Sequence, residues 1–589
     1  MANEHYAEFI DEAFVRPIRS VLIVDDDYPT FDEMLEAEIK HTGGGRPPPS
    51  SKAWYANPAR IKNVIDSFRK PERPLLVDIH DGSNVDAQGD VKVAAHLHQS
   101  DLLVLDYELD KAKPRDGNRA IQIIRSLMSN DHFNLVVVHT SENLDFVYTQ
   151  IIIGLLAHNS DALSQEERTK AQVLIDAGED ATEGFERSLR STVAVEHYLH
   201  SRLHFKTYLS TMGKGQQPYS AFSEQTAAVT WTNENQRLAL RYLLERVETS
   251  LHDRMNAANA DPIKWSSSGI KWIKSDSVFI AFSSKTDQDD LIGDLQKALT
   301  AWNPQPSRLF MAKLRAEMDE HGVTAQDQAL GNQHALAHWY GRLLRANGEE
   351  RRWLIAESVS RHSDQLLCSI LPRVETFATK LVAAEAAQGD IDETCKDHFK
   401  VDLTKPADRL KAEREHNAFV CSMPPQGWHL TTGHIFTMSG DHWICLSPAC
   451  DMVPSQLSAS NLTSFGERMP FMAIKLHPVG DGKSPDVQSN RYIFLQLDGV
   501  VKCFGFNEGR ETTLPRWHTL YAEKRGVFVG GFTFKIVSTE LGKRSLISNR
   551  YSAEVVGQLR YEYALNLMQR LGTAMTRIGL DFAGIVEKL

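Results

Sequence analysis

Residues 20–27 read SVLIVDDD, an apolar strand pattern that ends in three consecutive aspartates. A second apolar run, DLLVLDYEL at residues 101–109, places Asp106 at the corresponding position of another strand. The carboxyl ends of parallel strands meet at the edge where an α/β sheet carries its site. Packed carboxylates repel one another, so the pattern favours a bound hard cation, and Mg²⁺ is the expected cofactor. One carboxylate is then left to act as a nucleophile, which predicts phosphoaspartate chemistry.

Strand-like runs alternate with helical patterns through residues 1–144, which we predict to be one domain. Near-continuous apolar strands are typical of parallel β-structure covered on both faces, with right-handed connections. The predicted fold class is therefore α/β, with a doubly wound five-stranded parallel sheet. Its first four strands are SVLIV, PLLVDIHD, DLLVLDYEL and NLVVVHTSE. One of the intervening helices is predicted at residues 86–99.

The fifth strand does not follow the fourth directly. Residues 145–270 show helical periodicity and are predicted to be an inserted helical segment. The next strand-like run is SDSVFIAFSSK, so residues 271–302 are predicted to supply strand 5 and the last helix of the sheet domain. In the alternative, the poorer strand RLHFKTYL pairs instead, the insertion shrinks, and Lys206 replaces Lys285 at the strand end.

The remainder of the chain divides into helical and β-rich parts. Residues 303–390 are predicted to be a helical domain, and the polar residues 388–414 a linker or exposed turn. Short strands separated by turn residues make 415–589 a mainly-β domain, predicted to be a compact barrel or sandwich. A closing amphipathic helix is predicted from VVGQLRYEYALNLM onward, ending at Gly579.

The bulk properties narrow the classes of function. A chain of 589 residues is too long for one core. Its formal charge of −12, with no strongly basic stretch, argues against nucleic acid as a partner. The start MANEHYAEFIDEAF lacks the basic and apolar regions of a signal peptide, and no run reaches the ~18 apolar residues of a membrane span. We therefore expect a cytoplasmic protein with no membrane association. The cysteines form no CxxC pair, so neither a disulfide framework nor a zinc ribbon is predicted.

The strand order and its acids resemble the receiver domain of bacterial two-component response regulators, which has a flavodoxin-like fold. The resemblance covers residues 20–144 and 275–300. It implies that Asp106 is the phosphoacceptor and that a sensor histidine kinase is the partner. The implied metal ligands are Asp25, Asp26, Asp106 and the Glu108 carbonyl. The implied phosphoryl-binding and switch residues are Thr140, Ser141, Lys285 and Phe282.

The sequence departs from the receiver pattern at two places. The proline and glycine that follow the acceptor appear as Pro114 and Gly117, about three residues later than usual, so the acceptor loop is longer. Lys285 is followed by Thr286, where the family has a proline. Any single aspartate is better explained as a helix cap or a solvated strand end. The acids taken jointly, in strand order and with Thr140, favour the functional interpretation.

Other candidate groups have ordinary structural explanations. His197, His200 and His204 lie in a helical stretch and are better explained as packed or solvated histidines than as phosphotransfer groups. Cys445 and Cys450, the latter beside Asp451, are interpreted as cysteines packed in a β-core. The aromatic residues predicted to fill that core are Trp428, Trp443 and Trp517.

No helix-turn-helix, phosphate loop, HExxH or GxSxG motif identifies an effector. The long insertion and the apparently non-catalytic C-terminal half resemble the atypical receivers of bacterial phage-defence systems of the Detocs type. That resemblance implies a phosphate-buffering regulator in antiviral defence, with self-phosphatase behaviour only, and a second response regulator as a further partner. Receivers often pair through their last helices, so the receiver resemblance also makes a homodimer an expected partner state. The alternative is an effector enzyme switched by phosphorylation, with Cys450 and Asp451 at the centre of its C-terminal β-domain.

Overall fold

The structure is a computed structural model in two compact units, each described here by itself. The first unit comprises residues 1–316 and 377–384, and the second 317–376 and 385–589. The residues that the structure describes are 4–42, 58–82, 100–110, 112–130, 132–159, 162–257, 262–286, 289–330, 332–456, 459–480, 492–506, 517–541 and 545–575.

The first unit contains one seven-stranded sheet with the order β2-β1-β3-β4-β7-β6-β5. Its strands are β1 (Ser20–Val24), β2 (Leu76–His80), β3 (Leu102–Leu105), β4 (Asn134–Thr140), β5 (Lys264–Trp265), β6 (Trp272–Lys274) and β7 (Val278–Ser284). Strands β2, β1, β3, β4 and β7 are parallel, as predicted for the five-stranded sheet. The strand count was too low, because β6 and β5 extend the sheet with antiparallel pairing. These strands of three and two residues are too short to show strand periodicity.

Helices cover both faces of this sheet. They are α1 (Glu4–Ile10), α2 (Phe31–Thr42), α3 (Pro58–Phe68), α4 (Asn118–Met128), α5 (Leu144–Leu155), α6 (Gln165–Ala181), α7 (Phe185–Ser191), α8 (Val195–Leu203), α9 (Tyr208–Gly213), α10 (Ser220–Ala228), α11 (Asn233–Leu251) and α12 (Leu291–Trp302). A π-helical segment, Asp11–Val15, continues α1, and a 3₁₀ turn, His252–Arg254, follows α11. The helix predicted at residues 86–99 lies outside the described residues.

Alternate residues of the central strands belong to two separate apolar clusters. Leu22 and Val24 of β1 lie in one, and Val21 and Ile23 lie in the other. Because successive side chains of a strand point to opposite faces, both faces of the sheet are buried. Full burial of each such side chain contributes about 1.5–3 kcal/mol. This arrangement agrees with the predicted α/β class, in which helices cover both faces of a parallel sheet.

The segment between β4 and β7 is mostly helical, as predicted. Ile175 of α6 and Leu240 of α11 belong to the same buried cluster as Leu103 and Val136 of the sheet. The inserted helices therefore share one core with one face of the sheet. Its continuity explains how β4 and β7 pair directly although a long segment separates them in sequence.

The helices after residue 305 include two in a segment predicted to be a linker. They are α13 (Pro306–Leu330), α14 (Gln333–Arg345), α15 (Gly348–Ala386), α16 (Ile391–Phe399), α17 (Pro406–Cys421), α18 (Ala459–Phe465) and α19 (Tyr561–Met575). The linker predicted at 388–414 was wrong, since α16 and most of α17 occupy it. Asp390 accepts the first amides of α16, and a proline begins α17, so local signals start both helices despite their polar sequences.

The second unit contains a nine-stranded antiparallel sheet, and six of its strands close into a ring. The strands are β8 (Ser422–Met423), β9 (His434–Met438), β10 (Asp441–Cys445), β11 (Met469–Pro478), β12 (Tyr492–Leu497), β13 (Val500–Gly505), β14 (Trp517–Ala522), β15 (Thr533–Leu541) and β16 (Leu546–Leu559). The ring runs β10-β9-β16-β15-β14-β11 and closes through pairing of β11 with β10. Of the two predicted alternatives, a barrel or a sandwich, this closed ring agrees with the barrel.

The predicted closing helix began too early. Residues 555–559 belong to β16, and α19 begins at Tyr561. Val555 and Leu559 are buried strand residues, so their apolar spacing resembled that of a helix. The predicted end at Gly579 lies outside the described residues. Among the described helices, none is both long and apolar enough to cross a membrane.

Candidate functional site

Asp25 and Asp106 come together at one edge of the first unit's sheet. The Asp25 amide donates a hydrogen bond to the His80 carbonyl at 3.1 Å, and the Asp106 amide donates to the Val24 carbonyl at 2.9 Å. These bonds continue the parallel ladders one residue past the strand ends. The side chains therefore project from adjacent strands at the same edge, and both residues are buried.

Lys285, directly after β7, bridges these two acids. Its Nζ donates to Asp25 Oδ2 at 2.8 Å and to Asp106 Oδ2 at 2.6 Å. Its backbone amide donates to the Thr140 carbonyl at 2.8 Å, which fixes where the side chain starts. The alternative lysine, Lys206, is exposed in a turn between α8 and α9. The structure thus brings Lys285, and not Lys206, to the acids.

The electrostatics of the three groups follow from their burial. Burial raises the pKa of the Asp106 carboxyl to about 7; Lys285 opposes this shift, and Asp25 reinforces it. Burial alone would lower the pKa of the Lys285 ammonium, but Asp25 and Asp106 together raise it above its ordinary value. Lys285 therefore stays charged, while Asp106 holds a proton more readily than an exposed aspartate does.

Three consecutive aspartates present a set of oxygen donors beside this bridge. One carboxylate oxygen each of Asp25, Asp26 and Asp27 lies within 4.8 Å of the others. Hard cations such as Mg²⁺ take carboxylate, carbonyl and water oxygens, so this donor set fits the ion. Asp27 was not among the predicted ligands, although the run of three aspartates in the sequence was a signal for it. Its amide donates to Asp25 Oδ1 at 2.9 Å, which fixes the Asp25 rotamer.

A cavity of about 320 Å³ opens over these groups. Asp26, Asp27, Asp106, Glu108, Ser141 and Lys285 line it, together with Tyr28, Arg60, Ile61, Asp110 and Pro114. Arg60 comes from α3 and adds a second cation to the cavity. No pattern in the sequence indicated this role, since an arginine in an amphipathic helix is ordinarily a solvated residue.

The remaining predicted site residues lie along β4 and β7. Thr140 is buried, and its Oγ1 accepts a hydrogen bond from the Glu142 amide at 3.1 Å. Ser141 is exposed at the cavity. Phe282 is partly buried and packs edge-to-face against Tyr148, with ring centroids 5.3 Å apart. Phe282 therefore contacts α5, which begins four residues after Thr140.

The acceptor loop after β3 is longer than in the resembled family, and one glycine in it is required by packing. Gly117 lies against the ring of the buried Tyr107, and a Cβ at this position would overlap that ring. Within the loop, Glu108 Oε1 accepts a hydrogen bond from the Arg115 amide, and Arg115 pairs with Glu142 at 3.4 Å. Arg115 therefore connects the end of the loop to Glu108, which lines the cavity, and to Glu142, which follows β4.

A buried histidine–aspartate pair, not predicted from sequence, holds the segment after Lys285. His139 Nε2 lies 2.9 Å from Asp289 Oδ2, and both side chains are 2% exposed. Asp289 Oδ1 accepts hydrogen bonds from the Thr286 amide at 2.7 Å and its hydroxyl at 2.8 Å. Burial lowers the pKa of His139 to about 4, although Asp289 opposes the shift. These contacts stand where the resembled family has a proline after its lysine.

The histidines of the insertion have structural partners. His197 Nδ1 accepts from the Ala194 amide at 3.1 Å, and its Nε2 lies 3.1 Å from the Pro218 carbonyl. His200 Nδ1 contacts the Tyr219 hydroxyl at 3.2 Å, and His204 is exposed. This arrangement agrees with packed or solvated residues.

The interpretation of the C-terminal cysteines and tryptophans was partly wrong. Cys445 and Trp443 are buried in the barrel, but Cys450 is exposed on a 3₁₀ turn and Trp517 is 40% exposed. The Cys450 thiol lies 3.5 Å from Asp451 Oδ1. Trp428 is partly buried and lies under Arg352. Cys450 lies in a turn outside the strands, and Trp517 is the first residue of β14. At such positions the alternation of apolar and polar residues along a strand does not predict burial.

Residues 17–186 match the family described as the response receiver domain. The matched part contains β1 to β4, Asp25, Asp106 and Thr140 and ends before β7 and Lys285. It covers less than a third of the chain. No curated protein and no solved structure matches this chain.

Proposed function

We propose that this chain is a response regulator that accepts a phosphoryl group from a sensor histidine kinase on Asp106. The observation that carries the proposal is the bridge from Lys285 Nζ to Asp106 and Asp25, at 2.6 and 2.8 Å. A buried lysine that bonds two acids provides a fixed positive charge where phosphoryl oxygens would lie. The receiver-domain match supports a place in a phosphorelay.

The transfer itself follows from this geometry. A carboxylate oxygen of Asp106 attacks phosphorus in a phosphohistidine, the P–N bond breaks, and the kinase imidazole leaves with the electron pair and takes up a proton. Lys285 then exchanges its bond to Asp106 for one to a phosphoryl oxygen. The Thr140 hydroxyl and Ser141, at the same edge, donate to the remaining oxygens.

Asp25, Asp26 and Asp106, with Asp27 beside them and the Glu108 carbonyl, would hold Mg²⁺. When bound, Mg²⁺ neutralises the oxygens of the group being transferred. Asp25 would retain its bond to Lys285 when the bond to Asp106 is exchanged, and would so keep that ammonium in the cavity.

The switch in this proposal is the contact between Phe282 and Tyr148. Phosphorylation adds charge at Asp106 and draws the Thr140 segment toward the phosphoryl group. Since α5 begins four residues later and carries Tyr148, movement at Thr140 reaches the packing of Phe282. The signal then passes into the insertion through α5.

The test uses purified full chain with acetyl phosphate, with and without Mg²⁺. Intact-mass spectrometry should show one acid-labile adduct of a single phosphoryl group, dependent on Mg²⁺. Asp106→Asn should abolish it, and the matched variant Asp78→Asn, on β2 of the same sheet, should retain it. An adduct that persists in Asp106→Asn would contradict the assignment of the acceptor.

The proposed output is phosphate buffering in antiviral defence, with a second response regulator competing for the same kinase and with self-phosphatase behaviour only. The division of the chain at residues 144, 270, 302 and 390, a homodimer and a cytoplasmic location are parts of this proposal. What supports buffering over an effector enzyme is the setting of Cys450. It is exposed, and within the described residues neither it nor Asp451 is hydrogen-bonded to a histidine that could activate the thiol.

A further inference from the structure

A second cavity, of about 340 Å³, lies within the helical insertion. The cavity is lined by side chains of α6, α8 and α11 and of the segment after α5. None of the aspartates at the sheet edge lines it. Its volume lies in the range of small-molecule sites. Three arginines, two glutamates and two histidines face it, which is an unusual density of charged and titratable groups for the space between packed helices.

Arg202 supplies a positive charge that forms no direct ion pair with an acid of the described chain. Its Nη1 donates to the Tyr198 hydroxyl at 2.6 Å, and its Nη2 donates to the Ala157 carbonyl at 2.9 Å. Both acceptors are neutral, and no carboxylate oxygen of the described residues lies within 4.0 Å. Arg168, in contrast, is engaged by both oxygens of Glu245, at 2.8 and 3.0 Å. Arg202 is therefore held in place and still able to bind an anion, for which a guanidinium is suited.

The other walls of the cavity contain aromatic rings and one buried nitrogen atom without a hydrogen-bond partner among the described residues. The rings of His158 and His252 are stacked, with centroids 4.1 Å apart and planes 23° apart. Within the described residues, the buried His158 Nδ1 has no hydrogen-bond partner. Tyr198 and Tyr208 are buried and line the same cavity. Aromatic faces of this kind stack with planar rings.

The acids of the cavity complete the pattern. Glu248 lines it, and its Oε1 accepts the Asn159 amide at 2.6 Å. A carboxylate also accepts hydrogen bonds from ligand hydroxyl or amino groups. Among the arginines and glutamates of the lining, three positive charges face two negative ones, so the lining suits a ligand that carries a negative group together with donors.

We propose that this cavity binds a nucleoside monophosphate. The phosphate pairs with Arg202, the base stacks on the aromatic wall, and the ribose hydroxyls donate to Glu248. A free phosphate would use none of the aromatic surface, and a dinucleotide exceeds the space. The site is independent of phosphorylation at Asp106, so either assignment can fail without the other.

The test is isothermal titration calorimetry of the full chain with adenosine and guanosine monophosphates as probes. Wild-type protein should bind at least one of them with one site per chain. Arg202→Met should weaken that binding about tenfold or more, the range expected when a charge-assisted pair is lost. The matched variant Arg246→Met should bind like the wild type, because Arg246 lies over the Tyr242 ring outside the cavity. Asp106→Asn should also bind normally.

Three results would overturn the proposal: no binding of either nucleotide by the wild type at millimolar concentration, equal affinity in Arg202→Met, or inorganic phosphate binding as tightly as the nucleotides. Circular dichroism tests whether Arg202→Met is folded. If this variant is unfolded, Arg202→Lys replaces it, since lysine keeps the charge but loses the two-pronged geometry of the guanidinium. The affinity of Arg202→Lys for the nucleotide should then lie below that of the wild type.

Discussion

Lys285 Nζ lies 2.6 Å from Asp106 Oδ2, although 179 positions separate the two residues in sequence. The separation arises because the described helices α5 to α11 lie between β4 and β7 in sequence. These two strands nevertheless pair directly, with Val138 opposite Phe282. The insertion packs on one face of the sheet, so it leaves the carboxyl edge open. The insertion therefore leaves the site intact. Pairing of β7 with β4 in the buried sheet holds Lys285 in position.

Removing the lysine should destabilise the first unit. In Lys285→Met, two buried acids lose their shared cation, and loss of one partner of a buried pair costs roughly 3 kcal/mol or more. In metal-free buffer at neutral pH, urea unfolding should show a lower free energy of unfolding by about that amount. Lys206→Met, at the exposed alternative lysine, should stay within about 0.5 kcal/mol of the wild type. Equal losses in both variants would show that the bridge does not stabilise the fold.

The Asp106 carboxyl should titrate near pH 7 in metal-free buffer. Burial raises the pKa of Asp106 to about 7, so below that pH the carboxyl keeps its proton and is a poor nucleophile. The deprotonated fraction falls about tenfold per pH unit well below the pKa. With divalent cations removed by a chelator, the carbon-13 NMR signal of this carboxyl, assigned by its loss in Asp106→Asn, should therefore shift with a midpoint near pH 7. A midpoint at the ordinary value of an exposed aspartate would contradict the effect of burial.

The acids and the parallel sheet could be predicted from sequence because each is a local signal. SVLIV followed by aspartates, and LLVL followed by Asp106, each show a buried strand and its end in a few residues. Strand order then follows from general rules of connection. The position of Lys285 needed the fifth strand to be found beyond the insertion, and the apolar run ending at Ser284 was long enough to show it.

Features that depend on contacts distant in sequence were not predicted. Arg60 of α3 lines the cavity over Asp106, and His139 of β4 contacts Asp289, which follows β7. No local sequence pattern indicates either contact. Strand β6 pairs with the edge of β7, and β5 pairs in turn with β6, so both short strands depend on contacts with the sheet. The residues 555–559 carry apolar spacing compatible with both helix and strand, and pairing with β9 decides for the strand.

Gly117 should tolerate no side chain. In Gly117→Ala, the new Cβ would overlap the ring of Tyr107, so the ring or the acceptor loop must shift. Overpacking of a buried position costs about 1–3 kcal/mol, and here the displaced loop carries Glu108. Thermal unfolding should show a lower midpoint, together with slower phosphorylation of Asp106. Gly322→Ala is the matched control: it lies in α13 with no atom within 4 Å of the added Cβ, and alanine should be neutral or stabilising there.

The His139–Asp289 pair should act by positioning Lys285. In Asp289→Ala, the Thr286 amide and hydroxyl lose their acceptor and His139 loses its buried partner, so the segment that begins at Lys285 is released. Loss of a buried acceptor costs about 1–3 kcal/mol. Phosphorylation of Asp106 by acetyl phosphate should slow, while Asp289→Asn, which keeps an oxygen for Thr286, should fall between Ala and wild type. The exposed Asp276, paired with Lys274 at 3.7 Å, gives the matched control Asp276→Ala. If Asp289→Ala lowers the stability of the first unit but leaves the rate of phosphorylation unchanged, the pair is structural only and the lysine is positioned by β7 alone.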